Sequence, residues 1–307
     1  MSTKVKRSKL RVRIDRQKTV LTILPMTKIF IFSILPLIGI VLAFQEYYPA
    51  LGFFSPWVGF YNFRYVFESG MVVRLMTNAI VLNLLFITLT TTINILLALF
   101  LFEIRNRYLL KGFQSIFFLP YFVSWPLVGM LAGGFLGVNE GLITNLIYNL
   151  TGKTIRFYEE PGYWRVILTF VMIWKNCGAG CIFNYAFLLG TDQGIYEAAS
   201  IDGAGVFQRM FLISLPNLYL MIFISLITSL GSIIRMDMSL IWFVVGLNPL
   251  LYPTTDVFES FQMRALINQA KVGQPVALGL FQGVVGLVLS AGANYTIKRI
   301  DKDASLF

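Results

Sequence analysis

The 307-residue chain is 57% hydrophobic and only 13% charged, with a mean hydropathy of +0.72. So much apolar area exceeds what one core can hide from water, which excludes a soluble globule. The net charge of +10 is no sign of a nucleic-acid partner either, because eight of the 25 basic residues crowd into Met1–Thr19 beside one acid, Asp15.

That basic tail, residues 1–20, directly precedes an apolar run and reads as a topological anchor kept in the cytoplasm. Leu21 to Phe44 is long enough for a first membrane span and lacks a small-x-small cleavage pattern. Residues 45–76 form an extracytoplasmic loop dense in Tyr, Phe and Trp, a composition suited to the membrane interface. A second span covers about Thr77 to Phe102, with Asn83, Thr90 and Asn94 on one helical face. A polar stripe of that kind has to face other helices. After a short basic loop, a third span covers about Gly112 to Leu136, where Gly129 and Gly133 permit close helix approach. A fourth covers about Tyr163 to Leu189, a fifth about Asn217 to Arg235 and a sixth about Gln274 to Ile297. Gly279, Gly283, Gly286 and Ser290 offer a small-residue packing face on the sixth. Between the last two, Leu240 to Leu251 is apolar but too short to cross and fits a re-entrant piece.

The expected fold is therefore all-α: a polytopic membrane protein with six transmembrane helices and both termini in the cytoplasm. Residues 77–297 would form the core of five helices, and 298–307 a cytoplasmic tail. The positive-inside rule supports this for residues 1–20, 103–111 and 298–307. It fails for 190–215, where Asp192, Glu197 and Asp202 outnumber Arg209, so that acidic loop calls for a basic protein partner.

Catalytic chemistry is sparse. The chain has no histidine, and Cys177 and Cys181 are poorly spaced for a disulfide within one helix and too few for a zinc site. Gly152-Lys153-Thr154 resembles the end of a phosphate-binding loop, but Ile147 stands where its first glycine belongs. No cofactor, metal site or nucleotide site follows. Within the fourth span, Lys175 and Asn176 either line a wet pathway or are satisfied internally, since a charge at that depth must do one or the other. The neighbouring Trp174 suits stacking on a sugar ring as well as packing in a core.

The loop Glu197–Pro216 carries the most information. Glu197-Ala198-Ala199 starts a helical turn, and Asp202-Gly203 interrupts it. Phe207, Met210 and Phe211 then share one face of a second short helix, with Pro216 suited to the first turn of the next span. Glu-Ala-Ala, Asp-Gly-Ala and Ile213-x-Leu215-Pro216 at this spacing resemble the cytoplasmic loop of binding-protein-dependent ABC importer permeases. Phe118–Trp125, Ile173–Asn176, Ser55–Gly59 and Asp256–Arg264 are similar to the carbohydrate subgroup that takes oligosaccharides or polysaccharide fragments.

The resemblance implies a type I importer transmembrane domain in a bacterial cell membrane, non-catalytic itself. Its implied partners are a second permease, forming a heterodimer, two cytosolic ATPase subunits and an extracytoplasmic solute-binding protein. Glu197, Ala198, Ala199, Asp202, Gly203 and Ala204 would couple to an ATPase. Trp174, Lys175, Asn176, Asn83 and Asn94 are the candidate pathway residues. The alternatives are an importer of the same architecture for a non-sugar solute, and a secondary transporter. The latter would need a mid-span carboxylate, and Glu103 lies only at a span edge.

Overall fold

A computed structural model describes residues 21–138, 140–269 and 272–300, so the basic tail 1–20 and the end of the 298–307 tail lie outside the described residues. The described chain folds into helices joined by short connections. α1 (Leu21–Phe44) is a candidate membrane span. α2 (Tyr61–Glu68) follows on the loop after it. α3 (Met71–Glu103) begins before the expected Thr77 and is the longest helix described. α4 (Arg107–Phe118) and α5 (Trp125–Leu136) come next, then the short α6 (Leu142–Thr151). α7 (Trp164–Leu188) leads into α8 (Gln193–Ile201), α9 (Val206–Gly231), α10 (Phe258–Gln269) and α11 (Gly273–Ile300). Among the described residues, five helices are long and apolar enough to cross a membrane.

The third span departs from expectation. Residues 112–136 do not form one straight helix: Arg107–Phe122 and Trp125–Leu136 meet at 95°. Pro120 and Pro126 flank the bend and cannot donate backbone hydrogen bonds, while Val123 and Ser124 take extended conformations. Counted as one broken span, this pair completes the six.

The second departure concerns Pro216. Rather than opening a span, it lies inside the continuous helix α9. The helix widens over Met210–Ser214, just where the proline ring would clash with the preceding turn and where its missing N–H leaves a carbonyl unbonded. Pro36 in α1 is handled in a similar way, by a widened turn at Phe30–Ile34 and tight winding from Leu35 to Phe44.

The helices pack around α3 and α7, which lie side by side along much of their length. In lipid, such contacts depend on close approach more than on water release. Gly178 of α7 sits against α4 so closely that an added Cβ would lie 2.0 Å from the Phe117 carbonyl oxygen. Gly129 of α5 has the same relation to the Phe243 carbonyl at 2.1 Å. Gly133, Gly283 and Gly286, by contrast, face open space. On α11 the tight contact is at Ser290, which meets Gly231 of α9 and donates to its carbonyl at 3.1 Å.

A large core of Leu75, Leu82, Trp164, Leu168 and Phe258 fills the half of the bundle farthest from α8. Leu99, Leu188, Met210 and Leu218 fill the half next to it. In the Leu240–Leu251 piece, Leu240, Ile241, Val244 and Val245 are buried in the larger core, packed on α5. α1 sits at the edge against α2 and α11, with Leu21, Leu24 and Phe32 more than 70% exposed, as lipid-facing residues are.

Candidate functional site

Two places carry groups that a bare helix bundle does not need. The first is the α8 segment. Asp192 caps α8, its Oδ1 accepting from the Gly194 N–H at 2.9 Å. The helix buries one side chain, Tyr196, whose hydroxyl meets Ser214 Oγ at 3.0 Å and whose ring lies 5.1 Å from that of Phe102. Glu197, Ala198, Asp202 and Gly203 are exposed on the segment, and Ala199 and Ala204 are half-buried.

Gly203 takes φ +81°, a left-handed conformation that ends the helix at no steric cost for glycine alone. The turn closes through Ala204 N–H to the Ala199 carbonyl at 2.9 Å. Of the three apolar residues expected on one face, Met210 is buried, while Phe207 is 65% exposed and Phe211 44%. Continuity of α9 through Pro216 explains this, since its orientation is set by the span and not by the loop.

An ion pair braces the segment. Arg209 donates from Nη2 to Glu103 Oε2 at 2.6 Å and from Nη1 to the Ala204 carbonyl at 3.1 Å. The end of α3 is thereby tied to the turn carrying Gly203. A cleft of about 650 Å³ opens beside this brace, lined by Glu103, Arg105, Tyr185, Tyr196, Glu197 and Arg209. The brace was not legible in the sequence, because its partners are 106 residues apart.

The second place is the bend between α4 and α5. Lys175 Nζ donates to the Tyr121 carbonyl at 3.1 Å and also to the Val123 carbonyl, and it lies 5.1 Å from the Trp125 ring centre. These are carbonyls that the broken helix leaves without intrahelical partners. Phe118, Tyr121 and Phe122 cluster at the bend, with Phe122 72% exposed. Trp125 Nε1 donates to Asp237 Oδ2 at 2.8 Å, anchoring the start of α5.

The remaining candidates lie along α7 and α3. Trp174 packs on the larger core, and Asn176 donates to the Met172 carbonyl one turn back at 3.0 Å. Asn83 donates to the carbonyls of Ile233 and Arg235 at 2.7 and 3.0 Å, clipping α3 to the end of α9. Asn94 lies hard against Gly180, with its Oδ1 buried and unbonded; Thr90 Oγ1, one turn away, is in the same state. No group of three or more carboxylate or thiol residues suited to a metal occurs among the described residues.

Comparison with known proteins gives a consistent answer. The chain is 36% identical to protein LplB of Bacillus subtilis over 274 residues, 89% of this chain and 86% of that one. It is 32% identical to the polygalacturonan/rhamnogalacturonan transport system permease protein YteP of Bacillus subtilis, over 98% of this chain and 94% of the relative. Among solved structures, it superposes with a TM-score of 0.83 on a chain of a bacterial alginate ABC transporter in complex with an alginate pentasaccharide-bound periplasmic protein. That match is 28% identical and covers 94% of this chain and 96% of the other. No protein-family model matches the chain.

Proposed function

Because the chain belongs to the permease subunits of sugar ABC importers, we propose that it forms one half of a membrane pathway for an oligosaccharide or polysaccharide fragment. It is a multi-pass membrane transport component, not an enzyme. A second permease supplies the other half of a heterodimer, two cytosolic subunits hydrolyse ATP, and an extracytoplasmic binding protein delivers the sugar. Both termini and α8 then face the cytoplasm of a bacterial cell.

The observation that carries this reading is the exposed, braced α8 segment. Glu197 and Asp202 present carboxylates for charge-assisted bonds to a basic ATPase surface. Ala198, Ala199 and Ala204 allow close backbone approach, and Gly203 sets the turn. Closure of the ATPase pair moves the docked α8, and the Arg209–Glu103 brace passes that motion to α3. Lys175, beside exposed aromatic rings at the bend, is the strongest pathway candidate; Trp174, Asn176, Asn83 and Asn94 serve behind it by holding the helices in place.

The test is co-purification of the solubilised importer with wild-type permease and with Glu197→Lys combined with Gly203→Trp. Loss of the ATPase subunits from the variant alone supports the reading. Wild-type permease that carries no ATPase subunit and transports after ATP depletion would overturn it.

A further inference from the structure

Helices α3 and α9 are tied to each other at both ends. Near α8 the tie is Arg209 to Glu103, at 2.6 Å. At the opposite end Asn83 of α3 donates to the Ile233 and Arg235 carbonyls, at 2.7 and 3.0 Å, in the turn that follows α9. That turn continues the winding of its helix. The N–H groups of Ser232, Ile233 and Arg235 donate to the Ser229, Leu230 and Ser232 carbonyls at 3.1, 3.2 and 2.8 Å. Gln282 of α11 donates to the Ile234 carbonyl at 2.8 Å, and Glu259 of α10 accepts from the Met236 N–H at 3.1 Å. Each residue from 233 to 236 thus has a backbone group held by a side chain of another helix.

Asp237 stands at the end of this locked turn, and its two oxygens are divided. Oδ1 accepts from the Ser239 N–H at 2.8 Å, an ordinary cap for the turn after it. Oδ2 accepts from Trp125 Nε1 at 2.8 Å, across 112 residues of sequence. Capping uses one oxygen and leaves the second bond unexplained, although a bond to an ionised acceptor is the stronger kind. Trp125 is the first residue of α5. Lys175 of α7 grips the same bend from another side, through the Tyr121 and Val123 carbonyls, with its ammonium 5.1 Å from the indole ring centre. The bend is therefore clamped between α7 and the end of α9 farthest from α8.

We infer that Asp237 is a positioning residue for transport: through Trp125 it ties the bend to α9, so that a displacement of α8 reaches the Lys175 bend along that helix. This rests on the importer reading above and names the contact at which α9 delivers the motion. The helix spans 26 residues, about 39 Å at the helical rise per residue, with Arg209 near one end and Asp237 beyond the other. Such a chain of contacts couples two places only if its ends respond together, which is a measurable property. The competing role for Asp237 is purely structural, fixing the start of α5.

The test uses the assembled importer in lipid nanodiscs, carrying Cys177→Ala, Cys181→Ala and Ser124→Cys, with a nitroxide spin label on the introduced thiol. Ser124 precedes Trp125 at the bend, is exposed, and its side chain makes no capping bond. The electron paramagnetic resonance spectrum of the label is compared without nucleotide and after vanadate trapping of the ATPase subunits. With Asp237 and Trp125 intact, trapping is expected to shift the spectrum. Asp237→Ala and Trp125→Phe are each expected to lose that shift while ATP hydrolysis continues, and the double variant to match the single ones. Asp237→Asn, whose amide oxygen still accepts from the indole, is expected to keep part of it.

A shift that survives in Asp237→Ala or in Trp125→Phe overturns the inference, because a purely structural role would lower hydrolysis and leave the shift of folded molecules in place. Where Asp237→Ala does not fold, Trp125→Phe, which keeps an aromatic ring and removes only the donor end, decides. Absence of any shift in the intact protein while it hydrolyses ATP overturns the inference and leaves the importer reading standing. If the intact preparation carries no ATPase subunit and hydrolyses no ATP, both fall.

Discussion

Arg209 reaches across 2.6 Å to Glu103, and with side chains only 12% and 13% exposed the pair joins the α8 turn to the end of the longest span. A charge pair this shielded holds its geometry better than a surface pair. Removing either partner is expected to loosen α8 from α3. A double-mutant cycle of Glu103→Ala and Arg209→Ala on thermal unfolding should give a coupling energy of about 1–2 kcal/mol. The exchange Glu103→Arg with Arg209→Glu should recover part of the substrate-stimulated ATPase activity lost in each single variant. Fully additive single effects would remove the brace from the coupling route.

Close packing at Gly178 makes a second prediction. A Cβ there would lie 2.0 Å from the Phe117 carbonyl oxygen and 2.7 Å from the Phe118 Cα, both backbone atoms that cannot swing aside. Gly178→Ala is expected to destabilise the protein by roughly 1–3 kcal/mol, the range for overpacked sites. Gly133→Ala, whose Cβ meets nothing within 4 Å, should be neutral or slightly stabilising. Thermal-shift measurements on the two purified variants distinguish these outcomes.

These residues also show what was legible from sequence. Hydropathy alone located the spans, because an 18-residue apolar run has few other uses. The α8 loop was readable from local spacing. Gly178, Asn83 and Glu103 were another matter, since each acts through a partner far along the chain: Asn83 meets carbonyls 150 and 152 residues away. Small-residue spacing pointed to Gly129 and Gly133 alike, yet only Gly129 has a backbone against it, because the 95° bend decides which face of α5 meets the 241–245 turn. That bend was itself hidden, as its two halves pass together as one apolar stretch.

Glu259, on α10 outside the spans, carries a pH prediction. Burial raises its carboxyl above the ordinary value of 4.5, against the lowering influence of the bonds that its Oε1 accepts from Gln282 and the Met236 N–H. A carboxyl whose folded-state pKa is raised binds more protons folded than unfolded, so stability falls as pH climbs from about 4.5 through the folded value. Glu259→Gln lacks this loss. The melting temperature of the variant relative to wild type should therefore rise between pH 4.5 and neutrality. A difference independent of pH would mean that Glu259 does not titrate in this window.

The last prediction concerns Lys175, whose ammonium bonds to the Tyr121 and Val123 carbonyls and so completes a helix end that Pro120 and Pro126 prevent from continuing. Two roles are joined in one side chain: holding the bend and placing a positive charge beside exposed aromatic rings. Lys175→Met keeps the stem and removes every donor, leaving two part-buried carbonyls unpaired at a penalty of up to roughly 1–3 kcal/mol. Lys175→Arg keeps charge and donors but is bulkier. If Lys175 serves the pathway, Lys175→Met should cut transport more than tenfold while Lys175→Arg, even if equally destabilised, keeps measurable uptake with an altered KM. If the side chain only holds the bend, transport in both variants should follow their melting temperatures alone. Uptake by reconstituted importer, normalised to folded protein and set against thermal stability, separates the two.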